Sequence, residues 1–417
     1  MLDLAKELFP INRSISGKGV RKTLKILKKK IPYLKIKSFR SNLKVFDWKV
    51  PLEWDIKDAY IITPKNKKIC EFKKNNLHIV GYSKSINKYF KLKDLKKKIH
   101  SIKNQKNAIP YITSYYKNDW GFCMKHAQKN KLSNGIYKAV IKSTHFVGKI
   151  NYGEILIRGK SKKEIFLSTY ICHPSLANNE ISGPVLLTEL TKWLNKKKRR
   201  YSYRIIFIPE TIGSIAYLHK NLKIMKKNIF AGFNVTCVGD ERNYSYIPSR
   251  NGNTISDRIA TNVLKKYVKS FRKYEWKDRG SDERQYCSPG IDLPICSIMR
   301  TKYGKYKEYH TSLDRIGTVL TNNGLKGSLN IYKKTIQKIE KSYFPKTLKN
   351  CEPFMIKYNL YPALSKKNGW ENLLINILTW CDGNHSIEDI KLKCRCSKKK
   401  MDASLKILTK KKLISMI

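Results

Sequence analysis

The sequence predicts an α/β protein with a mostly parallel sheet and helices on both of its faces. From about Tyr152 to Tyr343, short apolar runs alternate with helix-length stretches, an alternation typical of parallel strands joined by helical connections. Three polar clusters, each placed after an apolar run, contain a histidine or a glutamate. Open α/β sheets bind their ligands at the carboxyl edge, where such strand ends meet.

The elements of this core follow in order along the chain. The predicted strands are the short apolar runs EIFLSTYI, RIIFIPE, IFAGFNVTCVG and LPICSIMR. The helices predicted between the first three strands are PVLLTELTKWL and SIAYLHKNL. These helices are expected to cover the two faces of the sheet.

Three domains are predicted. Residues 1–43, with helices at Leu2 to Leu8 and around Leu24, join residues 146–345 in the α/β core. Residues 44–145 contain short alternating strands separated by Pro, Asn and Gly, which indicates an inserted β-rich domain. Residues 346–417 contain three helix-length pieces, the outline of a winged helix-turn-helix.

The charge of the chain bears on its partners. The formal net charge is +56, from 87 Lys and Arg against 31 Asp and Glu, and such an excess is typical of proteins that bind polyanions. The basic residues are spread through every segment, however, and most are lysines, whereas nucleic-acid sites more often use arginine forks and clustered patches. Residues 341–417 carry 16 basic and 6 acidic residues, about their share of the total. Nucleic acid is therefore not the expected partner.

The cysteines and the N-terminus predict the compartment. The ten cysteines show neither a compact disulfide framework nor CxxC zinc pairs. The N-terminal segment has an acidic residue, Asp3, and no sustained apolar core, unlike a signal peptide. No stretch approaches the roughly 18 apolar residues of a membrane span. We expect a soluble, cytoplasmic protein without a membrane partner.

Three residues in the polar clusters predict metal-assisted hydrolysis. His173 follows IFLSTYIC, Glu210 follows RIIFIP, and His310 lies in KEYHTSLD. Neutral imidazoles bind zinc, and a catalytic zinc site needs about three protein ligands and an open position for water. A carboxylate that is not a ligand can accept the proton of that water. We therefore expect His173 and His310 as ligands and Glu210 as base; the alternative is ordinary hydrogen-bonded residues at strand ends.

Longer motifs carry a resemblance to a known family. They are FPINRSISG, CHPSLANNEISGP, PETIGSIAYL, GSDERQYCSPGIDLP and EYHTSLD. The chain resembles the co-catalytic zinc aminopeptidases of the bacterial leucyl aminopeptidase and glutaminyl cyclase type. It is more similar to a bacterial aminopeptidase-like group with a β-rich insert and a C-terminal winged helix, often encoded among surface-polysaccharide genes. The resemblance spans essentially the whole chain.

The resemblance implies a metal site that lacks some of the family's carboxylate ligands. It implies His173 and His310 as metal ligands and Glu210 as general base. Three carboxylate positions of the family hold neutral residues here: Asn179, Thr211 and Thr236. An amide oxygen brings no charge and threonine is a poor zinc ligand, so one zinc ion is expected rather than two. Asp240 is expected to replace the lost carboxylate, with Asn179 as a further metal or substrate contact.

Three further residues are expected near the site. The resembled peptidases place substrate-contacting groups near Asp282 and Arg284, so these two are expected to hold an amino or carboxylate group of the substrate; an ordinary surface ion pair is the alternative. Asp314, four residues after His310, is expected to accept the second imidazole hydrogen or else to cap the following helix.

Three functions fit these observations. The first is a metal-dependent amide or peptide hydrolase, acting on a peptide or on an aminoacyl or acylamido-sugar ligand, in surface-polysaccharide biosynthesis. The second is a catalytically degenerate ligand-binding or scaffold protein. The third is a nucleic-acid-binding regulator. In the first two functions the winged helix is expected to serve as a docking or dimerisation module, whereas the third function would use it to contact nucleic acid.

Overall fold

A computed structural model describes residues 1–360 and 370–417 of the chain. They form two compact units, Met1–Lys334 and Thr335–Ile417. Residues 361–369 of the predicted winged-helix domain lie outside the described residues. The predicted domain boundaries at residues 43, 145 and 345 stay a prediction.

The first unit begins with two helices and a strand: α1 Leu2–Leu8, α2 Lys18–Lys30 and β1 Lys35–Arg40. Both predicted N-terminal helices are present. Along α2, Val20, Leu24 and Leu27 are fully buried, because their spacing places them on one face of the helix. The lysines of the last turn of α2 are exposed.

The next segment is β-rich, as predicted. Its elements are β2 Lys44–Val45, β3 Trp48–Lys49, β4 Glu53–Ile62, β5 Lys68–Ile69, a 3-10 turn at Asn76–His78, β6 Ile86–Lys91, α3 Leu92–Lys97, β7 Ile99–His100, β8 Phe122–Cys123, α4 His126–Asn130 and β9 Ile136–Phe146. Four of these strands form an antiparallel sheet in the order β5-β4-β9-β6. Ala59, Ile61, Phe122 and Ile141 belong to a hydrophobic core of this segment.

The rest of the first unit alternates strands and helices. Its elements are β10 Lys149–Ile157, β11 Glu164–Tyr170, a π-helical turn at Ala177–Ile181, α5 Ser182–Asn195, β12 Ser202–Ile208, α6 Ile212–Asn228, β13 Ile229–Asn234, β14 Ser245–Ile247, α7 Ile255–Tyr267, β15 Arg272–Lys273, a 3-10 turn at Trp276–Asp278, α8 Glu283–Tyr286, β16 Ile295–Met299 and α9 Asn322–Lys341. The strands and helices predicted from periodicity are all found here.

The main sheet has eight strands in the order β1-β10-β12-β11-β13-β16-β14-β15. Its four central strands, β12, β11, β13 and β16, are parallel, which confirms the predicted mostly parallel sheet. Antiparallel pairings occur towards the edges, where β1 and β12 flank β10 and where β14 meets β16. Every residue of β11 and β12 is buried, because central strands of such a sheet are covered on both faces. This burial explains their continuous apolar sequences.

One ion network lies within this sheet. Arg204 of β12 donates to both carboxylate oxygens of Glu164, at 2.6 and 3.0 Å, and to Glu154 at 3.0 Å. The side chain of Arg204 is only 6% exposed. A buried guanidinium of this kind is tolerated because its donors and the two carboxylates are paired.

The described part of the second unit contains the end of α9, three further helices and a two-stranded ladder. Its elements are β17 Pro345–Thr347, a 3-10 turn at Met355–Tyr358, α10 Trp370–Thr379, α11 Ile387–Lys393, α12 Lys398–Lys410 and β18 Ile414–Met416. Strands β17 and β18 pair antiparallel. Leu374, Ile377, Ile390 and Leu408 pack in the core of this unit. The three predicted helices are present.

Within the parts of the chain that the structure describes, no helix combines the length and the apolar character needed to cross a membrane.

We expect Arg204→Met to lower the free energy of unfolding by about 3–5 kcal/mol, because it leaves buried carboxylates without their shared cation. The matched control is Arg250→Met. Arg250 and Asp292 form an ion pair at the surface, each with 45% of its side chain exposed, so the control should cost less than about 1 kcal/mol. Urea denaturation followed by circular dichroism measures both. Equal costs would contradict a structural role for the buried network.

Candidate functional site

The parallel pairing of β11 and β12 brings two predicted site residues together. His173 lies three residues after the end of β11, and Glu210 lies two residues after the end of β12. The Nε2 atom of His173 is 3.6 Å from Oε2 of Glu210. His310 joins them from the loop before α9, with its ring centroid 5.6 Å from that of His173. The structure therefore places the two histidines and the glutamate in one site.

Backbone strain accompanies two of these positions. His310 has φ = +54° and Thr211, directly after Glu210, has φ = +64°. A positive φ is uncommon for residues with a side chain and is a true outlier for a β-branched one. Residues held in such conformations cluster at functional sites, where the surrounding structure determines them. The loop of His310 is held by a hydrogen bond from Tyr111 N to His310 O, at 2.8 Å.

The three side chains line a cavity of about 360 Å3. Its wall consists of Ile15, Trp48, Tyr111, Thr113, Tyr115, Tyr116, Cys172, His173, Glu210, Thr211, Ile212, Arg284 and His310. The β-rich segment supplies five of these residues, four of them aromatic. The Tyr111 ring contacts the rings of both His173 and His310 edge-on, with distances between ring centroids of 5.0 and 5.1 Å. The site thus combines a polar floor with aromatic walls, as small-molecule sites often do.

A buried glutamate orients His173. The Nδ1 atom of His173 and Oε2 of Glu180 are hydrogen-bonded at 2.8 Å. The other oxygen of Glu180 is 3.3 Å from Nε of Arg13, which also donates to the backbone oxygen of His173 at 3.0 Å. This arrangement leaves Nε2 of His173 facing Glu210. Glu180 and Arg13 are not among the site residues predicted from the sequence, although both lie in the motifs that carry the family resemblance.

Burial controls the protonation of the site. Burial lowers the pKa of His173 to about 3, with a further contribution from the positive charge of Arg13. Burial also lowers the pKa of His310 to about 3. The pKa of Glu210 is raised to about 8, by burial first and then by the negative charge of Asp282. Both imidazoles are therefore neutral, the form that binds zinc.

Asp282 holds the Glu210 loop from inside the protein, which corrects its predicted role as a substrate contact. Its Oδ1 atom accepts hydrogen bonds from Thr211 N and Ser214 Oγ, both at 2.8 Å. Asp282 is fully buried and is absent from the cavity wall. Arg284 does line the cavity and donates to Thr211 Oγ1 at 2.7 Å, so its substrate-binding role stays a prediction.

Asp314 has neither of its two predicted roles. Its carboxylate oxygens accept hydrogen bonds from the backbone nitrogens of Asn178 and Asn179, at 2.8 and 2.9 Å. The two oxygens therefore accept from the π-helical turn and not from the ring of His310. Asp314 does not cap α9 either, because that helix begins eight residues later, at Asn322. Asp314 instead fixes the turn that carries Asn179 and Glu180.

Asp240 is not brought to the two histidines, which corrects the predicted trio of metal ligands. Its oxygens accept from Asn178 Nδ2 at 3.1 Å, from Thr301 N and Oγ1 at 2.9 and 2.7 Å, and from Arg242 N at 3.0 Å. Among the described residues, the only group of three metal-binding side chains with ligand atoms within 4.8 Å of one another is Cys172, His173 and Glu180. Four hydrogen bonds hold the Asp240 carboxylate where it is.

Comparisons with known proteins identify the family. A family model described as "Domain of unknown function (DUF4910)" matches residues 2–342. The chain belongs to the DUF4910 family. A second model, described as a winged helix-turn-helix, matches residues 343–416, which confirms the predicted C-terminal domain type.

Relatives of this DUF4910 chain include proteins of Clostridium acetobutylicum. One is named as a polysaccharide biosynthesis protein with an aminopeptidase-like domain; it is 42% identical over 395 residues, which cover 94% of this chain and 90% of the relative. A crystal structure of a protein named as a peptidase from that organism is 40% identical, with a TM-score of 0.81, and covers 100% of this chain and 96% of that chain. The resemblance to aminopeptidase-like proteins of polysaccharide biosynthesis is confirmed.

The chain is also similar in structure to a zinc aminopeptidase from Bacillus subtilis, and this similarity bears on the fold alone. That protein is 12% identical with a TM-score of 0.58, over 81% of this chain and 92% of that chain. The predicted zinc-aminopeptidase-like fold is confirmed. Whether the DUF4910 chain can hold a metal depends on its own donor atoms.

The donor set does not fit two metal ions. Asn179, at the bridging position, is a neutral amide that is 1% exposed. The Thr211 hydroxyl is used by Arg284, and the Thr236 hydroxyl is hydrogen-bonded to Tyr170 at 2.5 Å. Little negative charge is left to hold two divalent cations together.

The donor set fits one ion. Two neutral imidazoles line the cavity beside the carboxylate of Glu210. A catalytic zinc needs about three protein groups and an open position, so a further donor would complete the site and leave Glu210 free as a base. The group of Cys172, His173 and Glu180 is a poorer metal site, because the guanidinium of Arg13 lies 3.3 Å from Glu180 and already supplies positive charge there. A single cation on the cavity side of His173 is the arrangement that these residues allow.

We expect Asp314→Ala to lower the free energy of unfolding by about 2–4 kcal/mol, because two buried N–H groups lose their acceptor at about 1–3 kcal/mol each. Asp314→Asn is the matched variant. Its amide retains one acceptor oxygen, so the loss should be about half as large. Urea denaturation measures both. An unchanged midpoint for Asp314→Ala would contradict this structural role.

Proposed function

We propose that this DUF4910 protein is a metal-dependent hydrolase of an amide or peptide bond, acting in polysaccharide biosynthesis in the cytoplasm. One observation carries the proposal. Two neutral imidazoles and the carboxylate of Glu210 line one aromatic-walled cavity, with His173 Nε2 and Glu210 Oε2 3.6 Å apart. A neutral ligand pair beside a carboxylate is the chemistry that metal-assisted hydrolysis requires. The cytoplasmic location is supported by the ten cysteines, whose spacing shows no compact disulfide framework.

We assign His173 and His310 as the residues that hold one zinc ion. Asn179 is the third group assigned, because it occupies the bridging position and its Nδ2 atom is buried without a partner among the described residues. The two ends of an amide are assigned from hydrogen bonding, so its oxygen is a neutral donor for the ion. Bound zinc polarises a carbonyl group and lowers the pKa of water to about 7.

Glu210 is assigned as the general base. Ser281 Oγ donates to its Oε1 atom at 2.8 Å, which leaves Oε2 facing His173 and the cavity. Burial raises the pKa of Glu210 to about 8, so without a cation the group is mainly protonated near neutral pH. A cation held by the two imidazoles would lower that pKa, and the carboxylate could then accept a proton from water and return it to a leaving amine. Its role is proton transfer at Oε2.

The cavity wall indicates the class of substrate. Arg284 lines the cavity, and a guanidinium binds a carboxylate through paired hydrogen bonds. The aromatic walls suit the apolar part of a small ligand. A peptide, an aminoacyl compound or an acylamido sugar fits this description.

A catalytically degenerate ligand-binding protein is the second candidate. The observation that favours it is the neutral character of Asn179, Thr211 and Thr236 at carboxylate positions of the family. The cavity would then bind the same small ligand without cleaving it. In both cases we propose that the winged helix serves as a docking or dimerisation module.

Zinc content separates the two candidates. Protein incubated with zinc and then desalted should hold close to one ion per chain, measured by inductively coupled plasma mass spectrometry. His173→Ala and His310→Ala should each abolish binding, because a single imidazole is too few ligands. His126→Ala is the matched control, since His126 lies in the β-rich segment and bonds to Ser101 at 3.0 Å. An absence of zinc in the unsubstituted protein would favour the degenerate alternative.

Glu210→Gln tests the base. The amide keeps the shape of the side chain but cannot accept a proton, so hydrolysis should fall by about 10² or more, while zinc content stays the same. Glu189→Gln, which changes a surface residue paired with Lys192, is the control. A panel of aminoacyl anilides and N-acylated sugars supplies the assay. Full activity in the Glu210 variant would remove this assignment.

A further inference from the structure

A second cavity lies at the β15 edge of the main sheet, away from the proposed catalytic cavity. It has a volume of about 560 Å3, and residues of β14, of β15 and of the loop before His310 line it. Its polar lining includes the side chains of Arg242, Ser245, Arg272, Tyr274, Lys305 and Lys307. None of them lines the cavity that contains His173 and His310.

The wall of this cavity is strongly positive. Four cationic side chains line it together with the carboxylate of Glu308, whose Oε2 atom is 2.9 Å from Arg242. The buried carboxylate of Asp240 adjoins the wall, where it accepts from Arg242 N and Thr301 N. Among the described residues, Arg272, Lys305 and Lys307 have no acidic partner within ion-pair distance. Such a concave, unbalanced wall concentrates anions.

The lysine surplus of the chain does not account for this wall. Arginine makes up only 16 of the 87 basic residues, yet two arginines line this one cavity. The guanidinium fork matches the oxygens of carboxylates and phosphates in pairs, which an ammonium group cannot do. The composition of the wall therefore points to recognition of an oxyanion.

The fold holds these cations in place. Ser245 of β14 lies opposite Arg272 of β15 in the parallel ladder, and Arg272 N donates to Tyr244 O at 2.8 Å. Asp240 accepts hydrogen bonds from Arg242 N and from Thr301, another residue of the wall. Asp240, which was expected to bind zinc, thus holds two residues of the wall of the second cavity in place.

A buried hydroxyl gives an independent indication of a ligand. Ser245 contributes to the wall and is 1% exposed, and its Oγ atom is buried without a hydrogen-bond partner among the described residues. Buried polar groups are nearly always paired, so an unpaired one requires an explanation. An anionic oxygen that accepts from this hydroxyl would supply the missing partner.

We propose that this cavity is a binding site for a diphosphate-bearing small molecule. Three unpaired cations match a group with several negative oxygens better than they match a single carboxylate. The diphosphate is either free or part of a nucleoside diphosphate, whose base would have the ring of Tyr274 as a stacking surface. The proposal does not rest on hydrolytic activity.

Isothermal titration calorimetry with inorganic diphosphate and with uridine diphosphate, in 0.15 M NaCl, tests this site. Arg272→Ala should weaken binding of both probes at least tenfold, and Arg272→Lys should weaken it less. Arg158→Ala is the matched control, because this substitution also removes one positive charge. Arg158 is exposed and follows β10 near the opposite edge of the sheet. Its substitution should change the affinity less than twofold. His173→Ala should bind both probes normally, which separates this site from the proposed zinc.

The two probes distinguish the sources of the diphosphate. Tighter binding of uridine diphosphate, lost in Tyr274→Ala, would support a nucleoside diphosphate, whereas equal affinities would support free diphosphate. Absence of binding by both probes would overturn the proposal. Equal weakening by Arg272→Ala and Arg158→Ala would also overturn it, because the attraction would then be general charge.

Discussion

The parallel pairing of β11 and β12 is the constraint on which the rest of the site depends. Both strands are buried along their whole length, and parallel strands end at the same edge of a sheet. His173 and Glu210 therefore line the same cavity, with Nε2 and Oε2 3.6 Å apart, although their positions in the chain differ by 37. A one-residue shift in the register of β12 would turn its alternate side chains to the opposite face, and the floor of the cavity would be lost.

Buried aspartates hold the loops that this pairing brings together. Asp282 binds the backbone after Glu210, Asp314 binds the π-helical turn, and Asp240 binds the segment around Thr301. Each carboxylate accepts at least one backbone N–H group, because loops buried next to a cavity have donors that no ladder satisfies. This support maintains the strained backbone conformations of Thr211 and His310.

Charge is distributed unequally between the two cavities. The proposed catalytic cavity holds neutral imidazoles and a glutamate whose pKa is raised to about 8. The wall of the second cavity holds four cations and the carboxylate of Glu308, and the buried carboxylate of Asp240 adjoins it. The same fold thus presents one site suited to a neutral amide and one suited to an anion, and Asp240 links the elements of both through Asn178 and Thr301.

The α/β class, the parallel centre of the sheet, the β-rich segment and the winged-helix outline could all be predicted from the sequence, as could the candidate residues His173, Glu210 and His310. Apolar runs and their periodicity record which segments are buried, and polar residues after such runs mark the edge of a sheet. The hydrogen-bond partners of those residues could not be predicted in this way. Glu180 and Arg13 orient His173, and Asp240, Asp282 and Asp314 face backbone donors, because a hydrogen bond depends on which loops meet in space and not on distance along the chain.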